Sequence, residues 1–297
     1  MNVVNGINKI ADDLYFIAQP MGKIYTGIIV LVGGRVALVD SGLPPATDEY
    51  ILPTLRQVGM GLSEIDIIVN THWHGDHVGC NKQTKEKSGA TIAIHVKDKP
   101  CLESLAAQRA EFYDRFPKYF PPAALNAANT CAVDLILRAG DKLKMGQRQF
   151  TVIHLPGHTS GSIGLYDRAG RVFLTGDSIQ GRGIEGHIAM VMDVDPYLGA
   201  LREVERLAMD CIIMNHAYLP FDSAILTGAD VGQLIRESIQ TVEQYIAALQ
   251  AFAGDRKKMS LPEATDFLCA NFGTQPRSLM AMCTADSILK KLGIARE

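Results

Sequence analysis

Asn70-Thr71-His72-Trp73-His74-Gly75-Asp76-His77 places three imidazoles and a carboxylate within six positions, directly behind the apolar run Ile65-Asp66-Ile67-Ile68-Val69. A short apolar run reads as a strand, so these donors stand in the loop beyond its end, where a rigid scaffold usually presents its chemistry. Neutral imidazole suits zinc or iron, and a carboxylate suits harder ions. Four such groups crowded into one turn serve two adjacent ions better than one tetrahedral ion, so two metals are expected. A lone loop histidine is usually just solvated, and the chain has eight. This spacing behind a strand is harder to reach by chance, and it gains weight if partners occur elsewhere.

Three later stretches supply partners. Leu155-Pro156-Gly157-His158-Thr159 follows the strand-like Phe150-Thr151-Val152-Ile153, and Thr175-Gly176-Asp177-Ser178 follows Arg171-Val172-Phe173-Leu174. Asn215-His216-Ala217 follows Cys211-Ile212-Ile213-Met214. Each donor thus sits just past a short β-type run, and one edge of a sheet could gather all of them.

On these motifs the chain resembles the metallo-β-lactamase superfamily, matched at His72, His74, Asp76, His77, His158, Asp177 and His216 over roughly residues 10 to 220. The resemblance implies an α/β fold, a four-layer αβ/βα sandwich. It also implies that His72, His74 and His158 hold one metal, Asp76, His77 and His216 the other, and that Asp177 bridges them. Asp76 and Asp177 would then be the catalytic carboxylates. Asp40, after the strand-like Val36-Ala37-Leu38-Val39, would support the metals from behind; a plain turn carboxylate is the alternative. The departure is Asn215-His216-Ala217, where the family often has Gly-His-Gly.

Two divalent ions bring four positive charges, two carboxylates and a bridging hydroxide remove three, and the remainder favours an anionic transition state at a carbonyl. The expected function is metal-dependent hydrolysis of a thioester, lactone or activated ester by that hydroxide, with zinc the first choice of metal and iron or manganese also suited. Zinc β-lactamases of this family generally lack an Asp at the bridging position, which Asp177 occupies, and flavodiiron oxidoreductases carry an acidic residue in place of His74. Phosphodiesterases of the family share all seven ligands. A ligand-binding or regulatory protein with a vestigial site is a further alternative.

The net charge of −3, with 21% charged residues, supplies no basic stripe for a long polyanion. Nucleic acid is therefore not an expected partner, and a small-molecule substrate is. Residues 1–13 lack a signal-peptide pattern and no stretch approaches the ~20 apolar residues of a membrane span, so a cytoplasmic protein without a membrane partner is expected. Cys80, Cys101, Cys131, Cys211, Cys269 and Cys283 form no Cys-x-x-Cys pair and read as reduced thiols. Cys80 is either an outer thiol near the metals or a small buried residue.

The elements that must position the donors follow the same rhythm. Residues 14–17, 27–32 and 36–39 read as strands, with Gly33-Gly34 expected to supply positive backbone angles in a hairpin. A helix over 45–58 should have Thr47 as N-cap and a kink at Pro53. Residues 98–133 break the pattern as a helical insertion, with Leu102, Leu105, Phe112 and Phe116 at helical spacing and an aromatic, proline-rich end. Phe116, Tyr119 and Phe120 are either core or substrate contacts. Strands return over 134–174, and residues 181–192 read as a mobile glycine-rich loop in which His187 is a substrate contact, a proton carrier or an ordinary solvated residue. Tyr218 or His187 could hold the oxyanion. A catalytic domain over 1–222 gives way to a helical appendage over 223–297, in which strands are expected to disappear. That tail shapes the pocket, as in hydroxyacylglutathione hydrolases, or it covers the sheet or forms a homodimer contact.

Overall fold

The structure is a computed structural model describing residues 3–116, 130–275 and 278–297. Its first sheet has seven strands in sequence order: β1 (Gly6–Ala11), β2 (Leu14–Met21), β3 (Ile24–Val32), β4 (Val36–Val39), β5 (Ile65–Val69), β6 (Thr91–His95) and β7 (Leu135–Leu137). The first four run antiparallel and the last four parallel. The second sheet has six: β8 (Lys142–Met145), β9 (Arg148–His154), β10 (Ile163–Asp167), β11 (Val172–Gly176), β12 (Cys211–Met214) and β13 (Ile225–Thr227). Here β11 and β12 are the parallel pair.

Alternation along each strand sorts the side chains into layers. Leu14, Phe16 and Ala18 of β2 face inward and join Phe150, Val152 and Leu165 of the second sheet in one core. Tyr15 and Ile17 face outward and join Ile51, Leu55, Ile92 and Leu102 in another, beneath the helices on that side. Two sheets therefore pack face to face with helices outside both, the expected α/β sandwich. The helices are α1 (Leu52–Arg56), α2 (Gly75–Val78), α3 (Asn81–Ser88), α4 (Lys99–Glu103), α5 (Leu105–Gln108), α6 (Val194–Val204), α7 (Ala229–Ala253), α8 (Leu261–Asn271) and α9 (Leu279–Lys291).

Several local expectations change. The β3–β4 hairpin forms, with Val32 opposite Val36, but neither Gly33 nor Gly34 has a positive φ. Gly33 is needed for space, because a Cβ there would stand 2.7 Å from the Gly146 backbone. Thr47 does not cap a helix. It begins a wide turn over Thr47–Ile51, and its hydroxyl meets that of Thr84 at 2.8 Å. Pro53, without an N–H, follows directly on that wide turn as the second residue of α1. The insertion is broken rather than continuous, because Ser104 is extended and caps α5 through the Ala107 N–H. Cys80 is a buried core residue, and all six cysteines are free thiols.

Strands do not end at residue 223. β13 pairs antiparallel with β12, and Lys258–Met259 pairs with Ala295–Arg296, so the segment assigned to the tail finishes the second sheet before it turns helical. The 181–192 stretch is not a loose loop either. Residues 188–192 are buried, and α9 holds them: the Thr284 hydroxyl accepts the Val191 N–H at 2.9 Å and donates to the Ala189 carbonyl at 2.8 Å. No helix among the described residues is long and apolar enough to cross a membrane. Thr284→Val leaves the Val191 N–H buried without its acceptor. It should lower unfolding free energy in urea by about 1–3 kcal/mol, and a change under about 0.3 kcal/mol would show that α9 does not anchor this segment.

Candidate metal centre

The donors expected from sequence stand where five strands end. β4 leads to Asp40, β5 to the His72–His77 loop, β9 to His158, β11 to Asp177 and β12 to His216. The single turn of α2 folds the loop so that Asp76 and His77 face the donors of the second sheet. His158 Nε2 lies 3.3 Å from His72 Nε2 and 3.0 Å from His74 Nδ1. His216 Nε2 lies 3.2 Å from Asp76 Oδ2 and 3.3 Å from Asp177 Oδ2, while His77 Nε2 lies 3.3 Å from the same Asp177 oxygen. His158 Nε2 reaches that oxygen at 3.7 Å, so Asp177 stands between the two groups. All seven side chains converge.

Neutral nitrogens do not gather this closely without a reason. A zinc ion with bonds of about 2.0–2.1 Å in a tetrahedron sets its ligands roughly 3.3 Å apart, close to the separations at His158. His77 Nε2 and Asp177 Oδ1 are buried with no hydrogen-bond partner among the described residues, which a cation would supply. The side chains thus fit two divalent ions in donor type, spacing and unmet demand.

Each imidazole of the pairs at His77, His158 and His216 is held by its far nitrogen. His77 Nδ1 donates to Asp40 at 2.8 Å, His158 Nδ1 to the Met190 carbonyl at 3.1 Å and His216 Nδ1 to the Tyr25 carbonyl at 2.6 Å. His72 Nδ1 meets the Thr71 hydroxyl at 3.1 Å, and that hydroxyl gives its own proton to Asp40 at 2.7 Å. These contacts orient each ring so that Nε2 faces the cluster. Gln180 braces the Met190 peptide from both ends, accepting its N–H and donating to its carbonyl, each at 2.8 Å. Asn215 accounts for the departure in the last motif. Its amide donates to the Gly27 carbonyl at 2.6 Å and to Asp40 at 2.9 Å, which ties the two sheets together beside His216.

The substrate-contact expectations fare unevenly. Phe116 is core, 1% exposed, with the Arg296 guanidinium 5.8 Å from its ring centre, so it fastens the insertion to the chain end. Of the insertion's two phenylalanines at helical spacing, the one beside the donors is Phe112, whose ring centre lies 5.7 Å from that of His74. Both residues share the helical spacing, and nothing in that spacing distinguishes them. Tyr119 and Phe120 lie outside the described residues. His187 belongs to none of the ligand clusters. Tyr218 is buried beside His216, ring centres 5.9 Å apart, and desolvation together with the Asp177 charge holds its pKa well above 10, so it remains a neutral phenol.

Burial sets the charge states. Desolvation, with help from neighbouring histidines, holds His72 well below 6.5 and lowers His74 to about 3, so both present lone pairs. Burial alone would also lower His77 and His216, but the charges of Asp76 and Asp177 outweigh it, raising His77 well above 6.5 and His216 to about 10. The two carboxylates thus favour the protonated form of both rings in metal-free protein. Raised folded-state values give stability that is complete below the unfolded pKa and lost as pH rises through the folded one. Metal-free protein should therefore lose thermal stability between pH 6.5 and about 10, and zinc should remove the decline by taking the protons' place. At pH 7, zinc uptake in weak buffer should release roughly two protons per chain; no release would mean that His77 and His216 are neutral beforehand.

A family model described as the metallo-beta-lactamase superfamily matches residues 22–214. Hydroxyacylglutathione hydrolase GloC of Haemophilus influenzae is 30% identical over 152 residues, 50% of this chain and 64% of that protein. The acyl-coenzyme A thioesterase MBLAC2 of Gallus gallus is 32% identical over 124 residues, 38% of this chain and 41% of that protein. The chain thus spans less than two thirds of the length of either relative. A metallo-beta-lactamase family protein from Thermus thermophilus superposes with a TM-score of 0.75 at 20% identity, covering 96% of this chain and 94% of the other, a likeness of fold. With a family model covering most of the chain and the same fold in a solved structure, this protein belongs to the metallo-β-lactamase superfamily.

Proposed function

We propose that this chain is a dinuclear metal hydrolase that cleaves thioesters. His72, His74 and His158 would hold one divalent ion, Asp76, His77 and His216 the other, and Asp177 would lie between them. Zinc is the preferred ion, with iron or manganese suited to the same donors. When bound, such ions polarise a carbonyl and make water acidic enough to ionise near neutral pH. The observation that carries the reading is the approach of three imidazole nitrogens to 3.0 and 3.3 Å around His158. One of the similar proteins is named an acyl-coenzyme A thioesterase and another a hydroxyacylglutathione hydrolase, which favours thioesters among carbonyl substrates.

The chain's own residues have distinct tasks in this reading. Asp76 is more open than Asp177, its side chain 21% exposed, and it can orient an attacking water or take its proton. Tyr218 keeps its phenolic proton and offers an O–H donor beside Asp177. Phe112 packs over His74 and limits water on that side. No nucleophilic serine or cysteine is required, and the six thiols are not called upon. Elemental analysis of natively purified protein should find zinc, iron or manganese, and acyl-glutathione or acyl-coenzyme A thioesters should be hydrolysed. Chelation or His72→Ala should reduce that turnover to background, with chelated protein restored by zinc. Thioester turnover that survives both treatments, or faster turnover of a bis-aryl phosphate, would overturn the assignment.

A further inference from the structure

Asp98 stands three residues beyond β6 and opens α4, yet its side chain does not cap that helix. It is 1% exposed and turns instead toward the loop that carries His158. One oxygen accepts the Gly161 N–H at 2.7 Å and the other accepts the Thr159 hydroxyl at 2.7 Å. Asp98 itself follows β6, the parallel neighbour of β5, whose loop carries His72 and His74. Trp73 separates His72 from His74, and Thr159 follows His158. A single carboxylate therefore ties the His158 loop to the edge of the first sheet, from which the His72–His74 loop also springs, and the nitrogens of those two loops meet at 3.0 and 3.3 Å.

The surroundings are committed to this arrangement. The Thr159 hydroxyl gives its proton to Asp98, so the Ser162 hydroxyl at 2.7 Å must donate to Thr159, while Ser162 accepts the Thr159 N–H at 3.0 Å. At Gly161 a Cβ would stand 2.5 Å from Asp98 Oδ1, so only glycine permits the approach. Burial pushes the Asp98 carboxyl up to about 7 against the pull of its donors. A carboxylate is a costly brace for a structural turn, since a buried charge is tolerated only when its geometry is well satisfied.

We propose that Asp98 is a positioning residue for the three-histidine set: by holding the His158 loop against the first sheet, whose β5 carries the His72–His74 loop, it sets that set's affinity for a divalent cation. The inference rests on the reading that these histidines hold a cation. Carboxylates behind metal ligands commonly matter in this way, and losing one costs about 10- to 100-fold in affinity.

The test is zinc binding to the full chain after chelator treatment, read by competition with a chromophoric chelator and by elemental analysis. Asp98→Asn keeps an oxygen for Gly161 but presents an amide to Thr159. Affinity at the three-histidine set should fall about 10- to 100-fold, and zinc content should drop from about two ions per chain toward one. In a His216→Ala background, where the three-histidine set is the remaining complete one, Asp98→Asn should still weaken binding. Thr159→Val removes the hydroxyl's two hydrogen bonds, to Asp98 and from Ser162, and leaves Asp98 its bond from Gly161; it should act in the same direction with smaller size, and should add less than its full effect to Asp98→Asn. Zinc affinity within about twofold of wild type in both variants, whether or not the melting temperature falls, would overturn the proposal, because Asp98 would then only support the fold. If Asp98→Asn does not fold, Thr159→Val decides. A wild-type chain that binds no zinc fails the underlying reading instead, which is a separate and recognisable result.

Discussion

One buried carboxylate holds the rest of the site in register. Asp40 takes the Thr71 N–H at 2.8 Å, the Thr71 hydroxyl at 2.7 Å, His77 Nδ1 at 2.8 Å and the Asn215 amide at 2.9 Å. Those donors come from the ends of β5 and β12 and from α2, that is, from both sheets and the helical turn between the ligands. The Asp40 backbone adopts a φ of 61°, a conformation that non-glycine residues rarely occupy. Strain of this kind persists only where surrounding contacts over-determine it, and four charge-assisted hydrogen bonds do so here.

The two sheets contribute in parallel fashion. In each, antiparallel strands build a wall and a parallel pair lies nearest the donors: β4 with β5 in the first sheet, β11 with β12 in the second. Parallel neighbours end at the same edge, so the loops behind them are adjacent by construction. The β5 loop supplies four donors from six residues, whereas β11 and β12 supply one each. The inner core that locks the sheets face to face therefore also fixes the spacing between donors that are far apart in sequence.

Much of this was legible in the sequence because ligand chemistry demands particular residue types at strand ends. The donor-rich loop, the three partner motifs and the alternating strands could be read without coordinates, and the sandwich and the superfamily followed from them. What escaped was set by partners remote in the chain. Asn215 stands where the family often has glycine, and its use as a bridge from the Gly27 carbonyl to Asp40 depends on residues more than 170 positions away. Phe112 and Phe116 were equivalent by helical spacing, and only the break at Ser104 and the approach of Arg296 sent one toward the donors and the other into the core. The glycines of 181–192 suggested looseness, yet they permit a tight path beneath α9. β13 was hidden because three residues carry too little periodicity to declare a strand.

The hold of α9 on residues 189–194 has a consequence for how the molecule is made. Met190, whose carbonyl orients His158, is flanked by Ala189 and Val191, which bind Thr284, and Val194 binds Ser287 in the same helix. During synthesis all seven donors leave the ribosome well before the helix that steadies one of them. The seven side chains can gather early in a nascent chain, but the Met190 peptide that orients His158 takes its finished path only when α9 docks.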